Sequence, residues 1–118
     1  MRVKDAVGAY GERMAARHLV DAGWEILDRN WRCREGELDI VARDGAALVF
    51  CEVKCRTSTD YGDPAEAVVG AKAARLRRLA GLYLEAHPGR WPEVRIDVIS
   101  VLRPRQGAAQ VRHLRGVA

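Results

Sequence analysis

No apolar stretch of this 118-residue chain approaches the ~20 residues that a membrane-spanning helix needs, so neither a membrane span nor a membrane partner is expected. The opening "MRVKDAVGAYGERMAA" carries charges where a secretory leader needs an apolar segment. A cytoplasmic protein is the expectation. Cysteine is scarce: Cys33, Cys51 and Cys55 are an odd set without paired spacing, which argues against a disulfide framework. Neither CxxC nor HxxxH spacing joins them to His18, His87 or His113, so a zinc site is not expected. Reduced cysteines packed as small hydrophobes are the simpler reading. There is no Walker loop, no GxGxxG and no Ser/His/Asp set, which weighs against a nucleotide cofactor or a triad hydrolase. Repeats, low-complexity tracts and internal linkers are also missing, and the length fits one domain over residues 1–118.

What the chain does have is an uneven distribution of charge. Residues 31–66 carry 5 basic and 8 acidic side chains, and residues 67–118 carry 10 basic and 3 acidic. An acidic middle followed by a basic second half suits a polyanion handled with the help of a cation. A merely solvated surface, rich in arginine, is the plain alternative.

Apolar and small residues at helical spacing predict a helix over residues 5–22, with Gly23 as its C-cap. "WEILDRNW", 24–31, alternates as a strand does. "GELDIVAR" and "AALVFCEVKC" flank Asp44-Gly45, a hairpin signal. "RTSTDYGDP", 56–64, is polar and rich in breakers, so it reads as a mobile loop. A second helix lies within 65–87, with Ala71–Ala86 as its firmest part and Pro88-Gly89 as its stop. "VRIDVISVL", 94–102, is a β-branched strand, and "QVRHLRGV" a short edge strand. The order α-β-β-β-α-β predicts an α/β fold, a mixed sheet flanked by helices.

The hairpin contains a puzzle. Its strands should be largely buried, yet Asp39 sits in the first and Glu52 and Lys54 in the second. Side chains two apart share a strand face, so Glu52 and Lys54 point the same way, beside Phe50. Asp39 reaches that face if the register allows. Buried charges need partners. A salt bridge from Lys54 satisfies one carboxylate and leaves the other, and two close carboxylates repel. A divalent cation such as Mg²⁺ resolves this, held by one or two carboxylates with water and phosphate oxygens. On the first helix Glu12 shares a stripe with Gly8, Ala15, Ala16 and Leu19, while Arg13, Arg17 and Asp21 face away. Glu12 therefore turns inward, or else rests at the rim near the helix start, where acids are favoured. On the second helix Lys72 shares a stripe with Leu76, Leu79, Ala80 and Tyr83. It either meets an anion there or snorkels out along its stem. Arg75, Arg77 and Arg78 fall on or near the exposed side.

Asp39 followed after a hairpin by Glu52-Val53-Lys54 resembles the PD-(D/E)XK nuclease superfamily. More closely, "GAYGERMAARHLVDAGWEILDRNWRCREGELDIVARDGAALVFCEVKCRTS", with "YGDPAEAV", Lys72 and "RIDVIS", is similar to the YraN-like family of bacterial proteins, and through it to archaeal Holliday-junction resolvases. The resemblance implies a restriction-endonuclease-like core and a metal-dependent endonuclease. Asp39, Glu52 and the Val53 carbonyl would bind Mg²⁺ or Mn²⁺. Glu12 would bind a metal-bound water or a second ion, and Lys54 would orient the attacking water and stabilise the phosphorane. The implied partner is nucleic acid, DNA ahead of RNA, with branched or single-stranded forms as candidates. Arg56 and Tyr61 on the loop, with Lys72 and Arg75 on the second helix, are the expected nucleic-acid contacts. A homodimer is left open. The rival reading is a nucleic-acid-binding module of the same fold without useful turnover, and behind it a scaffold whose buried charges form salt bridges.

Overall fold

The computed structural model describes residues 6–57 and 70–118. Tyr61 and most of the expected loop lie outside them. Helix α1, Ala6–Asp21, is followed by strands β1 (Glu25–Cys33), β2 (Gly36–Asp44) and β3 (Ala47–Arg56). Helix α2, Gly70–Ala86, then leads to β4 (Glu93–Leu102) and β5 (Gln110–Leu114). The five strands form one sheet in the order β1-β2-β3-β4-β5. Only β3 and β4 run parallel, and the other pairs are antiparallel. A parallel pair needs a long crossover, and α2 lies within it. The α/β expectation holds, with β5 at one edge and β1 at the other.

Each helix covers one face of the sheet. Ala15, Ala16 and Leu19 of α1 pack with Ile40, Val49, Cys51, Ile99 and Val101. Leu76, Leu79, Ala80 and Tyr83 of α2 pack with Val41, Leu48, Phe50, Ile96 and Val98. Successive residues of β3 alternate between the two layers, as the pleat requires, so the apolar run "ALVF" is buried on both faces. Cys33, Cys51 and Cys55 are free thiols. Burial first, and then the nearby Asp97 carboxylate, push the Cys51 thiol well above its usual range.

Element ends differ in instructive ways. The hairpin closes at Asp44↔Ala47, which puts Gly45 and Ala46, not Asp44-Gly45, at the centre of the turn. Gly45 has φ +59°, the first-position conformation that a glycine-led two-residue hairpin turn uses. Strand β3 runs on to Arg56, which the sequence assigns to the loop. Its pairing with Leu102, and the Arg103 N–H donated to the Arg56 carbonyl at 2.7 Å, hold it in the sheet.

The α1 face carries a polar network that the sequence did not announce. Asp97 on β4 is fully buried and accepts from Arg95 Nε at 2.9 Å and the Gly116 N–H at 3.0 Å. His113 Nε2 lies 2.7 Å from its other oxygen, and His113 Nδ1 meets His18 Nε2 of α1 at 3.3 Å. Burial would push the Asp97 carboxyl up, but His113, Arg95 and the Gly116 amide outweigh it and hold it below the usual range. The network ties the C-terminal turn and β5 to the middle of the sheet.

Helix α1 sits unusually close to β3. A methyl group at Gly11 would lie 2.5 Å from Cys55 Cβ, inside any real contact. Gly11→Ala should therefore lower stability by about 1–3 kcal/mol as an overpacked contact, although the same change in an open helix interior gains ~1 kcal/mol. Urea denaturation measures the sign. A stabilised variant would mean that α1 is not seated on Cys55.

Candidate active site

Strand β2 breaks its own alternation at one point. Leu38 packs in the α2 layer and Ile40 in the α1 layer, although residues two apart should share a face. Position 39 lies between them. The β1–β2 register pairs Arg29 with Ile40 and Trp31 with Leu38, which puts Asn30 opposite Asp39. Asn30 has φ +56° and is the only non-glycine residue with positive φ among the described residues. Asn is among the few side chains that tolerate this left-handed conformation, and such strain gathers at functional positions.

The consequence appears on the other side of β2. Its recorded pairing with β3 runs from Asp44↔Ala47 to Ile40↔Cys51 and stops there. One residue further on, the Asp39 side chain takes over: its Oδ2 accepts the Val53 N–H at 2.9 Å. A carboxylate thus stands in for a ladder acceptor where the strands part. It also brings Asp39 close to Glu52, near enough for its charge to act on that carboxyl.

Glu52 lies on the α2 side of β3, as alternation from Phe50 requires, with its side chain only 13% exposed. Burial pushes its carboxyl above the usual range. The Asp39 charge adds to that, and Lys72 and Lys54 pull it back. Lys72, in the first turn of α2, approaches Glu52 Oε1 with its Nζ at 3.8 Å. Burial lowers the Lys72 ammonium, the neighbouring Lys54 lowers it further, and Glu52 opposes both. Two carboxylates and two lysines, Asp39, Glu52, Lys54 and Lys72, therefore form one partly buried cluster. Lys72 is drawn to an anion, as one of its two readings anticipates, and that anion is Glu52.

The other expected residues stand at different distances from this cluster. Glu12 is 4% exposed on the packed face of α1, so it points inward as its stripe predicts. Among the described residues, no three His, Cys, Asp or Glu side chains gather as a metal-holding group. Asp39 and Glu52 are close enough for the charge of one to oppose ionisation of the other. Arg56 ends β3 on the Lys54 side by alternation and is half-buried. Arg75 is exposed, close enough to Lys72 for its charge to depress that ammonium. Ser100 was not singled out in the sequence. It is buried on β4 in register with Lys54 and shares the α2 face with Ile96 and Val98. A polar residue after the apolar run "IDVI" is a weak signal, and only the register places it beside Lys54.

Paired carboxylates are the kind of oxygen donors that a hard divalent cation takes. Two adjacent carboxylates share this partly buried site, and burial first, then the Asp39 charge, opposes ionisation of Glu52. The Val53 carbonyl lies on the same strand segment.

A mixed α/β protein with a buried acid–lysine cluster where two strands part is thus defined. The profile of the Uncharacterised protein family UPF0102 matches residues 11–101, and the chain belongs to that family. The UPF0102 protein of Frankia casuarinae is 62% identical over 116 residues, covering 98% of each chain. That of Beutenbergia cavernae is 62% identical over 117 residues, covering 99% of each. The Streptomyces griseus relative is 56% identical over 119 residues, covering the whole of each.

Because burial and Asp39 oppose its ionisation, Glu52 costs the folded state stability once pH rises above the ordinary glutamate range, ~4.3. Glu52→Gln should therefore stabilise the metal-free protein at neutral pH by roughly 0.5–2 kcal/mol, as relief of functional-site strain does. The gain should vanish as pH falls through that range. Thermal denaturation across pH checks both. A destabilised Glu52→Gln at neutral pH would show that the carboxylate is held by attraction, not repulsion.

Proposed function

We propose that this protein is a metal-dependent nuclease that hydrolyses phosphodiester bonds, with DNA as the preferred substrate and a restriction-endonuclease-like core. One observation carries the reading: the Asp39 and Glu52 carboxylates stand close together where β2 leaves β3, near enough for the charge of one to oppose ionisation of the other, with Lys54 and Lys72 beside them. A scaffold held by salt bridges has no use for two abutting acids, since pairing a single carboxylate with a single ammonium avoids the repulsion.

Asp39, Glu52 and the Val53 carbonyl would hold Mg²⁺ or Mn²⁺, and Glu12 would bind its water or a second ion. A bound divalent ion supplies a more acidic water and neutralises charge that builds on the phosphoryl oxygens. The rest falls to the chain itself. The Val53 N–H fixes one Asp39 oxygen, so the other is presented in a set direction. The Lys54 ammonium, on the Glu52 face of β3, orients the attacking water and stabilises the additional negative charge of the transition state. No side chain need act as nucleophile. Arg56 and Arg75, flanking the cluster on β3 and α2, contact backbone phosphates. The basic second half adds non-specific attraction that falls with salt. No helix among the described residues is long and apolar enough to cross a membrane.

Two measurements test this together. Mn²⁺ titration calorimetry should detect a specific site in the parent that Asp39→Asn and Glu52→Ala both lose. Asp39→Asn keeps an acceptor for the Val53 N–H and should preserve the fold. A panel of labelled branched, nicked, single- and double-stranded DNAs, with an RNA control, should be cleaved in Mn²⁺ by the parent. Lys54→Ala should lower turnover by about 10²–10³-fold, the scale of one lost transition-state contact, and leave substrate affinity nearly unchanged. Binding of DNA without cleavage and without a cation site would replace the nuclease with a binding module.

A further inference from the structure

The two lysines of the cluster come from different elements and have different surroundings. Lys54 is fixed to β3 between Val53 and Cys55. Lys72 belongs to the first turn of α2, three residues from Arg75, with its side chain 28% exposed. An ammonium in the first turn opposes the helix dipole. Its neighbours Lys54 and Arg75 repel it as well. Burial disfavours it too, and Glu52 is the attraction that opposes these without outweighing them. The Nζ–Oε1 distance of 3.8 Å is an ionic approach and exceeds hydrogen-bond length, so the pair is held by charge with little directional bonding.

We infer that Lys72 is the resident counter-cation of the carboxylate pair, that a divalent ion displaces it from Glu52, and that the freed ammonium then takes a phosphodiester oxygen. This rests on the nuclease reading above and adds a coupling to it. Two carboxylates and two ammonium groups balance without any ion. Adding a dication leaves an excess of two positive charges, and Glu52 can no longer offset the charge on Lys72. An incoming phosphodiester anion is the group that restores the balance, and Lys72 has the stem length and partial exposure to follow it. Metal and nucleic acid therefore bind cooperatively, and by linkage each strengthens the other by the same factor. A bare metal is held weakly, so the site is fully charged only with nucleic acid present.

The test is Mn²⁺ titration of the parent and Lys72→Met, each with and without dimethyl phosphate as a minimal phosphodiester. Lys72→Met removes the competing cation and keeps the apolar stem. It should bind Mn²⁺ alone roughly three- to tenfold more tightly than the parent, the scale of one partly buried ion pair. Dimethyl phosphate should tighten Mn²⁺ binding in the parent, and that gain should be lost in Lys72→Met. Equal or weaker Mn²⁺ binding by Lys72→Met, beside a parent that binds, would overturn the displacement and leave the nuclease reading standing. Failure of both proteins to bind Mn²⁺ would overturn both.

Discussion

A single hydrogen bond, from the Val53 N–H to Asp39 Oδ2, holds the site together. An antiparallel hairpin normally satisfies each inward amide with a carbonyl across the ladder. Here the recorded pairing ends at Ile40↔Cys51, and a side chain supplies the next acceptor. The substitution lets β2 part from β3 without leaving a buried amide unsatisfied, which would cost about 1–3 kcal/mol. It also commits the Asp39 carboxylate to the gap, against Glu52. The left-handed Asn30 on the far side of β2 and the switch of Leu38 and Ile40 between layers belong to the same distortion.

The two faces of the sheet divide the work. On the α1 face, the buried charge of Asp97 is fully met by Arg95, His113 and the Gly116 amide, and its carboxyl ionises more readily than usual. On the α2 face, Glu52 resists ionisation although two lysines stand near it. The contrast separates structure from function. The Asp97 network satisfies its acid, whereas the proposed cation site keeps an acid that burial and a neighbouring carboxylate hold back from ionising. Helix α1 takes part in both faces' surroundings: His18 joins the satisfied network, and Gly11 lets the helix come down onto Cys55 near the end of β3.

Much of this was legible in the residues. The β-branched run of β4, the small-residue stripe of α1 and the leucine stripe of α2 fixed the element types, because periodicity reports which face is buried. Glu52, Lys54 and Asp39 were recognisable as charges on strands that should be apolar. Helical spacing put Glu12 on the packing stripe, and its burial decides for the inward reading over the rim. What the sequence hid was every feature that depends on register. That Asp39 replaces a ladder acceptor, that Ser100 stands beside Lys54, and that Asp97 collects partners from β5 and the C-terminal turn all require knowing which strands are neighbours. The end of β3 was misjudged for the same reason. Arg56 begins a polar stretch, and its pairing with Leu102 keeps it in the sheet. Tyr61 remains an expectation on residues outside those described.

The central claim is that the carboxylate pair at the parting of β2 and β3 is a divalent-cation site. Anomalous diffraction from crystals equilibrated with Mn²⁺ tests it most directly. The account predicts a single strong peak shared by the Asp39 and Glu52 carboxylates and the Val53 carbonyl, with the Lys72 ammonium moved away from Glu52. A saturated crystal whose Mn²⁺ lies elsewhere, with Lys72 still against Glu52, would contradict it.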